Sequence, residues 1–476
     1  MTRGAPGPHF WMHVRQSTLR MPRMIQTDTT LTPAALVPAC WRLFEVSAPK
    51  IRRLQQRWDS SKGSPVFTWA GEYTTRGWTE WTQGFQFGSA LLQFDATGDE
   101  EFLKMGREAT VQWMAPHVSH TGVHDHGFNN VSTYGNLLRL MNEGRIPESR
   151  WERNFYELAL KLSGAVQAAR WTTLAPDLGY VYSFNGPQSL FADTIRSMRS
   201  LYVSWQLGHK FMGEGDRQID LLGRALQHAE SSARWNVWFG NGRDSYDERG
   251  RVAHESIFNL NDNAYRCPGT QQGYSPFSTW TRGQAWILCG FAEQLELLLM
   301  LDEAVFAPHG GKEKWIGRFR ETAEAVADHF ISNTPTDGIP YWDTGAPGLT
   351  HLGDWRNTPA QIDNDYEPVD ASAGVIAAQG LLRLGRITAG ELGARYTAAG
   401  LTVARSVLSD PCLSTNGNHE GLILHSIYHR PNGWDYIPPG SRIPKGESSQ
   451  WGDYHARELA LLILRMSEGK DLRFFL

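Results

Sequence analysis

The chain has few cysteines, Cys40, Cys267, Cys289 and Cys412, and they are widely separated with no C-x-x-C pair. That excludes a disulfide framework and a cysteine zinc site, and it fits thiols kept reduced in a cytoplasm. No apolar run approaches the ~20 residues of a membrane span. The early basic residues Arg3, Arg15, Arg20 and Arg23 are not followed by the apolar stretch of a secretory signal. A basic block is missing as well. Lys and Arg number 46 against 50 Asp and Glu, a formal net charge of −4, so neither nucleic acid nor an anionic membrane is an expected partner. There is no P-loop, no G-x-G-x-x-G after a strand, no H-E-x-x-H and no G-x-S-x-G, which removes the common phosphate, metalloprotease and esterase signatures. His124 and His126 form an H-x-H pair, but nothing at ligand spacing completes a site, and no metal is expected.

What the chain has in quantity is aromatic: 19 Trp, 15 Tyr and 21 Phe in 476 residues. Tryptophan offers a flat apolar face and one N–H donor, which suits a sugar ring, although large helical proteins also use it as core. The apolar share of 41% is that of an ordinary globular protein.

Helical periodicity dominates. Apolar positions recur at i, i+3, i+4 and i+7 in 84–94, 100–114, 151–168, 191–207, 217–232, 280–301, 314–331, 371–384, 391–408 and 454–466. Stretches 90–109, 201–229 and 381–404 each read as a helix, a Gly-containing turn and a second helix. Their uneven spacing disfavours an open solenoid and fits a closed ring of helix pairs. Residues 26–476 are expected to form one domain, preceded by a poorly ordered extension over 1–25, with Met24 an alternative start. Long polar loops rich in aromatics fall at 115–136, 171–190, 234–279, 334–370 and 409–453, with short β pieces expected in 234–257 and 421–437.

Two carboxylates stand out in these loops and helix starts. Asp125 lies in HDHGFNN (124–130), where a local turn or cap role is the plain alternative. Asp193 lies in FADTIRSM (191–198) on an apolar helix face. Desolvation there is expected to raise its pKa, as a proton donor needs, and helix capping is the alternative. The stretch QQGYSPFSTWTRGQAW (271–286) adds amide, aromatic and guanidinium groups. Arg282 offers a planar fork for a carboxylate, Gln272 a partner for sugar oxygens and Trp286 a wall. An internal ion pair for Arg282 and a core role for Trp280 are the alternatives.

These motifs, with WTQGF (81–85), HDHGF (124–128), AHES (253–256), DASAGVIAAQGLLRL (370–384), EGLILHSIYH (420–429) and WGDY (451–454), stand in one order over about residues 66–476. The chain in this respect resembles the unsaturated glucuronyl hydrolases, glycoside hydrolase family 88. The resemblance implies an all-α (α/α)6 toroid of six helical hairpins with the active site at one end. It implies an exo-acting enzyme that removes a Δ4,5-unsaturated uronic acid from lyase-generated oligosaccharides by hydrating a vinyl ether, with no cofactor and a monomeric or homodimeric cytoplasmic protein. By the same resemblance Asp193 is the general acid/base and Asp125 the second acid. His254, Gln272, Arg282 and Trp286 bind the sugar with His124, Trp81 is an aromatic wall, and Phe184 stands where the family usually has Trp. The alternatives are an unsaturated rhamnogalacturonyl hydrolase acting on pectin-derived oligosaccharides and a non-catalytic carbohydrate-binding scaffold.

Departures from the family's pattern are Gln271 before Gln272, His126 in place of Leu, and TIRSMRSLY (194–202) after the acid. Arg196 and Arg199 are therefore read either as paired or solvated charges, or as an arginine at the pocket mouth that selects a sulfated substrate.

Overall fold

The computed structural model describes residues 25–77 and 80–475, and of Asp244 the backbone alone. Six helical segments form an inner ring: Gln83–Thr97, a run from His126 to Asn142, Thr194–Ser197 with Arg199–Gln206, Thr281–Met300, Ala371–Ile387 and Gln450–Ser467. Each is followed or preceded by an outer partner: Pro33–Arg57, Glu100–Trp113, Arg150–Ala169, Leu221–Trp235, Lys312–Ser332 or Gly390–Val407. The inner helices are apolar nearly all round, and almost every residue from Thr281 to Leu295 is buried. Outer helices bury one stripe only, as in Glu100–Trp113 with Phe102, Leu103, Gly106, Ala109 and Thr110. Gln450–Ser467 packs on both Ala371–Ile387 and Gln83–Thr97, and the first outer helix, Pro33–Arg57, lies on Gln450–Ser467, so the chain closes on itself. This is the expected (α/α)6 toroid.

Local chemistry fixes the starts. Asp99, Ser149, Asp370 and Ser449 accept N–H bonds from the first turns they precede, filling orphan donors. Thr32 does the same ahead of Pro33. Glycine lets the inner segments touch. A Cβ on Gly127 would stand 2.2 Å from the Ser197 carbonyl oxygen, and one on Gly84 would stand 2.3 Å from that of Asn129. The run from His126 to Asn142 thus sits against its two ring neighbours at backbone distance.

The outcome differs from the sequence pattern in several places. Pro33–Arg57 is one helix in spite of Pro38 and Pro49, which interrupt its periodicity. Much of 115–136 is helical rather than loop, including a π-turn at Val131–Gly135, because burial overrides the weak propensity of its Gly, Asn and β-branched residues. A strand occurs at Glu255–Phe258 as expected, but 421–437 holds only a single bridge, Leu413 to Ile423. Residues 1–24, part of the expected extension, lie outside the described residues. Ile25 is buried and its N–H donates to the Ile331 carbonyl at 3.1 Å. No single helix among the described residues is long and apolar enough to cross a membrane.

Arg196 and Arg199 do not reach the pocket mouth. Both are buried in the ring, where Arg196 Nη2 lies 2.9 Å from Glu458 and Nη1 contacts Glu293, while Arg199 Nε lies 3.3 Å from Glu293. Their apolar helix face turns inward, and the charges are met there by acids from Thr281–Met300 and Gln450–Ser467. The substrate-selecting alternative is overturned. Arg196→Ala, which leaves Glu293 and Glu458 with Arg199 as the arginine they share, is expected to lower the urea midpoint, at a cost of up to about 3–5 kcal/mol, and to leave the ratio of rates on sulfated and unsulfated disaccharides unchanged.

Candidate active site

A cavity of about 280 Å³ opens at the end of the toroid where the inner helices begin, near the lower end of the range for small-molecule pockets. Its carboxyls come from two helix starts. A three-stranded sheet, Ser189–Phe191, Glu255–Phe258 and Tyr265–Gly269, pairs Phe191 with Glu255. One residue on, the Ala192 N–H donates to the His254 carbonyl at 2.8 Å, which sets Asp193 at the head of Thr194–Ser197. Asp125 heads His126–Asn129. Neither side chain makes a capping bond, so both turn to the cavity they line. Their separation is pinned from behind. Ser197 Oγ accepts from Gly127 N and from Gln167 Nε2, each at 2.9 Å, and Gln167 Nε2 also donates to the His124 carbonyl at 2.6 Å.

His124 stands between the two acids, with Nε2 3.5 Å from Asp193 Oδ1 and 3.7 Å from Asp125 Oδ1. Its ring stacks on Phe184 and meets Phe191 edge-on. Burial alone would discharge this imidazole, but Asp125 and Asp193 outweigh it and raise its pKa. Burial likewise acts to raise Asp193, yet His124, then His254 and Arg282, hold it below the ordinary carboxylate value. The expected upward shift therefore falls on the other acid: burial raises Asp125, and the charge of Asp193 adds to it against His124. The reversal follows from the imidazole, which the sequence places beside Asp125 but the fold also turns toward Asp193. His126 is no partner for a metal with His124, since its ring bonds Ser163 Oγ and the His120 carbonyl.

Gln272, Trp81, Trp286 and Phe184 all line the cavity. Trp81 stacks on Trp451 at 5.1 Å and Trp286 packs on Phe128 at 4.9 Å. Phe184 is 52% exposed and forms the rim. His254 stands behind the wall, packed on Phe191 and Trp280. Its Nδ1 accepts from the backbone N–H groups of Gln271 and Gln272, at 3.0 and 3.2 Å, and burial pushes its pKa down to about 4, so it is neutral with the proton on Nε2.

Arg282 corrects another expectation. Its fork is already filled: Nη1 reaches Asp370 at 2.7 Å and the Ile427 carbonyl, and Nη2 donates to Gln272 Oε1 at 2.9 Å and the Tyr428 carbonyl at 2.8 Å. The guanidinium lies between Trp280 and Trp451, 4.6 and 4.9 Å from their ring centres. The internal ion pair is what forms, because Asp370 caps the neighbouring inner helix within reach, and Arg282 orients Gln272 instead of holding a free fork.

Several lining residues were not singled out in the sequence. Tyr428 and His429 sit inside the EGLILHSIYH motif, and Glu80 directly precedes WTQGF, so position beside a motif was the available signal. Trp434 had none.

No family model matches the chain. It is 28% identical over 415 residues, 83% of its length and 89% of the other's, to an unsaturated glucuronyl hydrolase of Bacillus sp. strain GL1. The chain is similar to the unsaturated glucuronyl hydrolases. An unsaturated chondroitin disaccharide hydrolase of Streptococcus pyogenes serotype M1 is 22% identical, covering 82% of each chain. In fold, the crystal structure of the Bacillus sp. GL1 unsaturated glucuronyl hydrolase superposes with a TM-score of 0.67 at 22% identity, over 92% of this chain and 98% of that one. An unsaturated glucuronyl hydrolase specific for heparin superposes with a TM-score of 0.68 at 19% identity, over 92% and 99%.

Arg282→Ala is expected to leave Asp370 buried without its countercharge, at a cost of about 3–5 kcal/mol read as a lower urea midpoint. A side chain that served only as a substrate clamp would instead leave the midpoint in place.

Proposed function

We propose that the protein is an exo-acting glycoside hydrolase that removes a Δ4,5-unsaturated uronic acid from the non-reducing end of oligosaccharides left by polysaccharide lyases. The observation that carries this is the buried imidazole of His124 between Asp193 and Asp125, at one end of a cavity walled by Trp81, Trp286 and Phe184. Acid–base work needs a proton donor that can be reloaded beside the reacting atoms. Aromatic walls supply the faces a sugar ring stacks on. The likeness to enzymes named for unsaturated glucuronyl and chondroitin disaccharide substrates supports a glycosaminoglycan-type substrate.

In this reading Asp193, loaded with a proton passed from the His124 imidazolium, protonates C4 of the sugar. Water adds at C5 and returns its proton to the Asp193 carboxylate. The hemiketal so formed opens and expels the next sugar as an alcohol. Asp125 binds ring hydroxyls and, as a neighbouring acid, favours proton retention on the pair. The low pKa of Asp193 in the free protein belongs to a state with the charge on His124. Bringing an anionic sugar against Asp193 disfavours its ionised form and draws the proton across. His254 holds the backbone of Gln271 and Gln272 in place. The spacing rules for retaining and inverting carboxylate pairs do not apply to a hydration. Unpaired Cys40, Cys267, Cys289 and Cys412 support a cytoplasmic setting.

The test follows loss of the unsaturated uronide's ultraviolet absorbance on a panel of lyase products, chondroitin-type, heparin-type and rhamnogalacturonan-type. Wild type is expected to bleach a glycosaminoglycan-type disaccharide, and Asp193→Asn to lose at least about 100-fold in kcat, the lower range for a general acid. Bleaching of the rhamnogalacturonan product alone would move the substrate to pectin, and an undiminished Asp193→Asn would remove Asp193 from its role.

A further inference from the structure

Three carboxyl groups, Glu80, Asp125 and Asp193, line the same cavity, and the substrate class proposed above brings a fourth negative charge with it. The cations at hand are already engaged. Arg282 is committed to Asp370, His124 is shared between Asp125 and Asp193, and burial pushes His429 down to about 4, so it is neutral. No lysine is among the lining residues described. The proton that His124 passes to Asp193 serves that pair alone, and the charges that remain in a poorly hydrated site still repel one another, so binding is favoured by a second proton on a group His124 does not serve.

The contacts single out Glu80. Asp125 and Asp193 both have the imidazole of His124 beside them. Glu80 does not share it. Its Oε2 accepts from the Tyr428 hydroxyl, a neutral donor, at 3.3 Å. Asp125 repels it from across the cavity, and Arg76, the cation that faces it, lies over the rings of Trp434 and Tyr428 and donates to the Trp434 carbonyl at 3.1 Å.

We propose that Glu80 is a specificity-determining acid of this pocket, which admits an anionic sugar in its neutral form, donating a hydrogen bond to it, and excludes that sugar once ionised. Burial and the charge of Asp125 push its pKa up to about 7, against the opposing pull of Tyr428 and Arg76, which sets the transition within a measurable window. The inference rests on the reading of the substrate as a uronate.

The sign is fixed: Glu80 is neutral below about pH 7, and binding weakens as pH rises through that value. Because apparent affinity scales with the fraction of the competent form, KM on the best unsaturated disaccharide is expected to rise about 30-fold from pH 6 to pH 8.5. Glu80→Gln keeps a neutral donor at every pH and is expected to flatten that rise. Tyr428→Phe removes a bond that favours the carboxylate and is expected to move the inflection to higher pH. Circular dichroism melts of each variant check that the fold is intact. Tryptophan-fluorescence titration of the disaccharide onto the Asp193→Asn protein, with and without Glu80→Gln, gives Kd without turnover. An unchanged inflection in the Glu80→Gln protein overturns the role of Glu80 and leaves the reaction standing. A Kd that follows Glu80 while the wild type bleaches none of the unsaturated disaccharides keeps the inference and overturns the reaction. Neither binding nor turnover overturns both.

Discussion

The ion pair between Arg282 and Asp370 holds together the part of the ring on which the pocket is built. Two full charges with 1% and 0% side-chain exposure carry a large desolvation penalty. It is offset because no N–H on Nη1 or Nη2 is wasted: the carbonyls of Ile427 and Tyr428 and the amide of Gln272 take the rest, and two indole faces close over the plane. The pair joins the second residue of one inner helix to the cap of the next. It also pulls the loop carrying Tyr428 and His429 down onto the cavity. Cavity-lining groups from two separate stretches of chain are thereby set by one guanidinium, and this is why a residue suited to grip a ligand carboxylate is spent on structure.

The same economy of position explains why the chemistry collects at one end. Inner helices begin there: Thr82, Asp125, Asp193, Trp280, Asp370 and Ser449 are the residues that precede them. Helix starts carry unpaired N–H groups and a positive end of the dipole, which favours anions. Side chains at these starts either complete the helix, as Asp370 and Ser449 do, or are released to the cavity, as Asp125 and Asp193 are. What releases the latter two is their brief, irregular helical run. His126–Asn129 passes into a π-turn and Thr194–Ser197 lasts one turn, so neither builds a regular first turn that would recruit the carboxyl.

Much of this was legible in the sequence, and the limits have physical causes. The regular helices of the ring were legible because an outer helix buries one face and leaves a 3.6-residue trace, while an inner helix, buried all round, leaves a long stretch rich in apolar residues. The ordered motifs located Asp125, Asp193, Gln272, Trp81 and Trp286, which the fold brings to one cavity. Pro33–Arg57 escaped because two prolines break the pattern while tertiary packing preserves the helix. The partners of Arg196, Arg199 and Arg282 escaped for a different reason. An ion pair between residues 88 positions apart, such as Arg282 and Asp370, leaves no local signature, and a free arginine and a paired one look alike in one dimension.

The inverted shifts of Asp193 and Asp125 are of the same kind, and they bear on how the site can work. From sequence, an acid on an apolar face should be hard to ionise. In the fold, the nearest group to that acid is an imidazole that it shares with a second acid, so the proton is distributed over three side chains rather than owned by one. A distributed proton suits a reaction that must deliver it to carbon and recover it from water within one turnover. His124 favours the ionised form of Asp193 and the two acids favour the charged form of His124, so in the proposed hydration a further negative charge beside Asp193 would return the proton to it. If the proposed hydration holds, the negative charge of the substrate would itself take part in catalysis: a neutral sugar of the same shape would fill the cavity and leave the proton on the histidine.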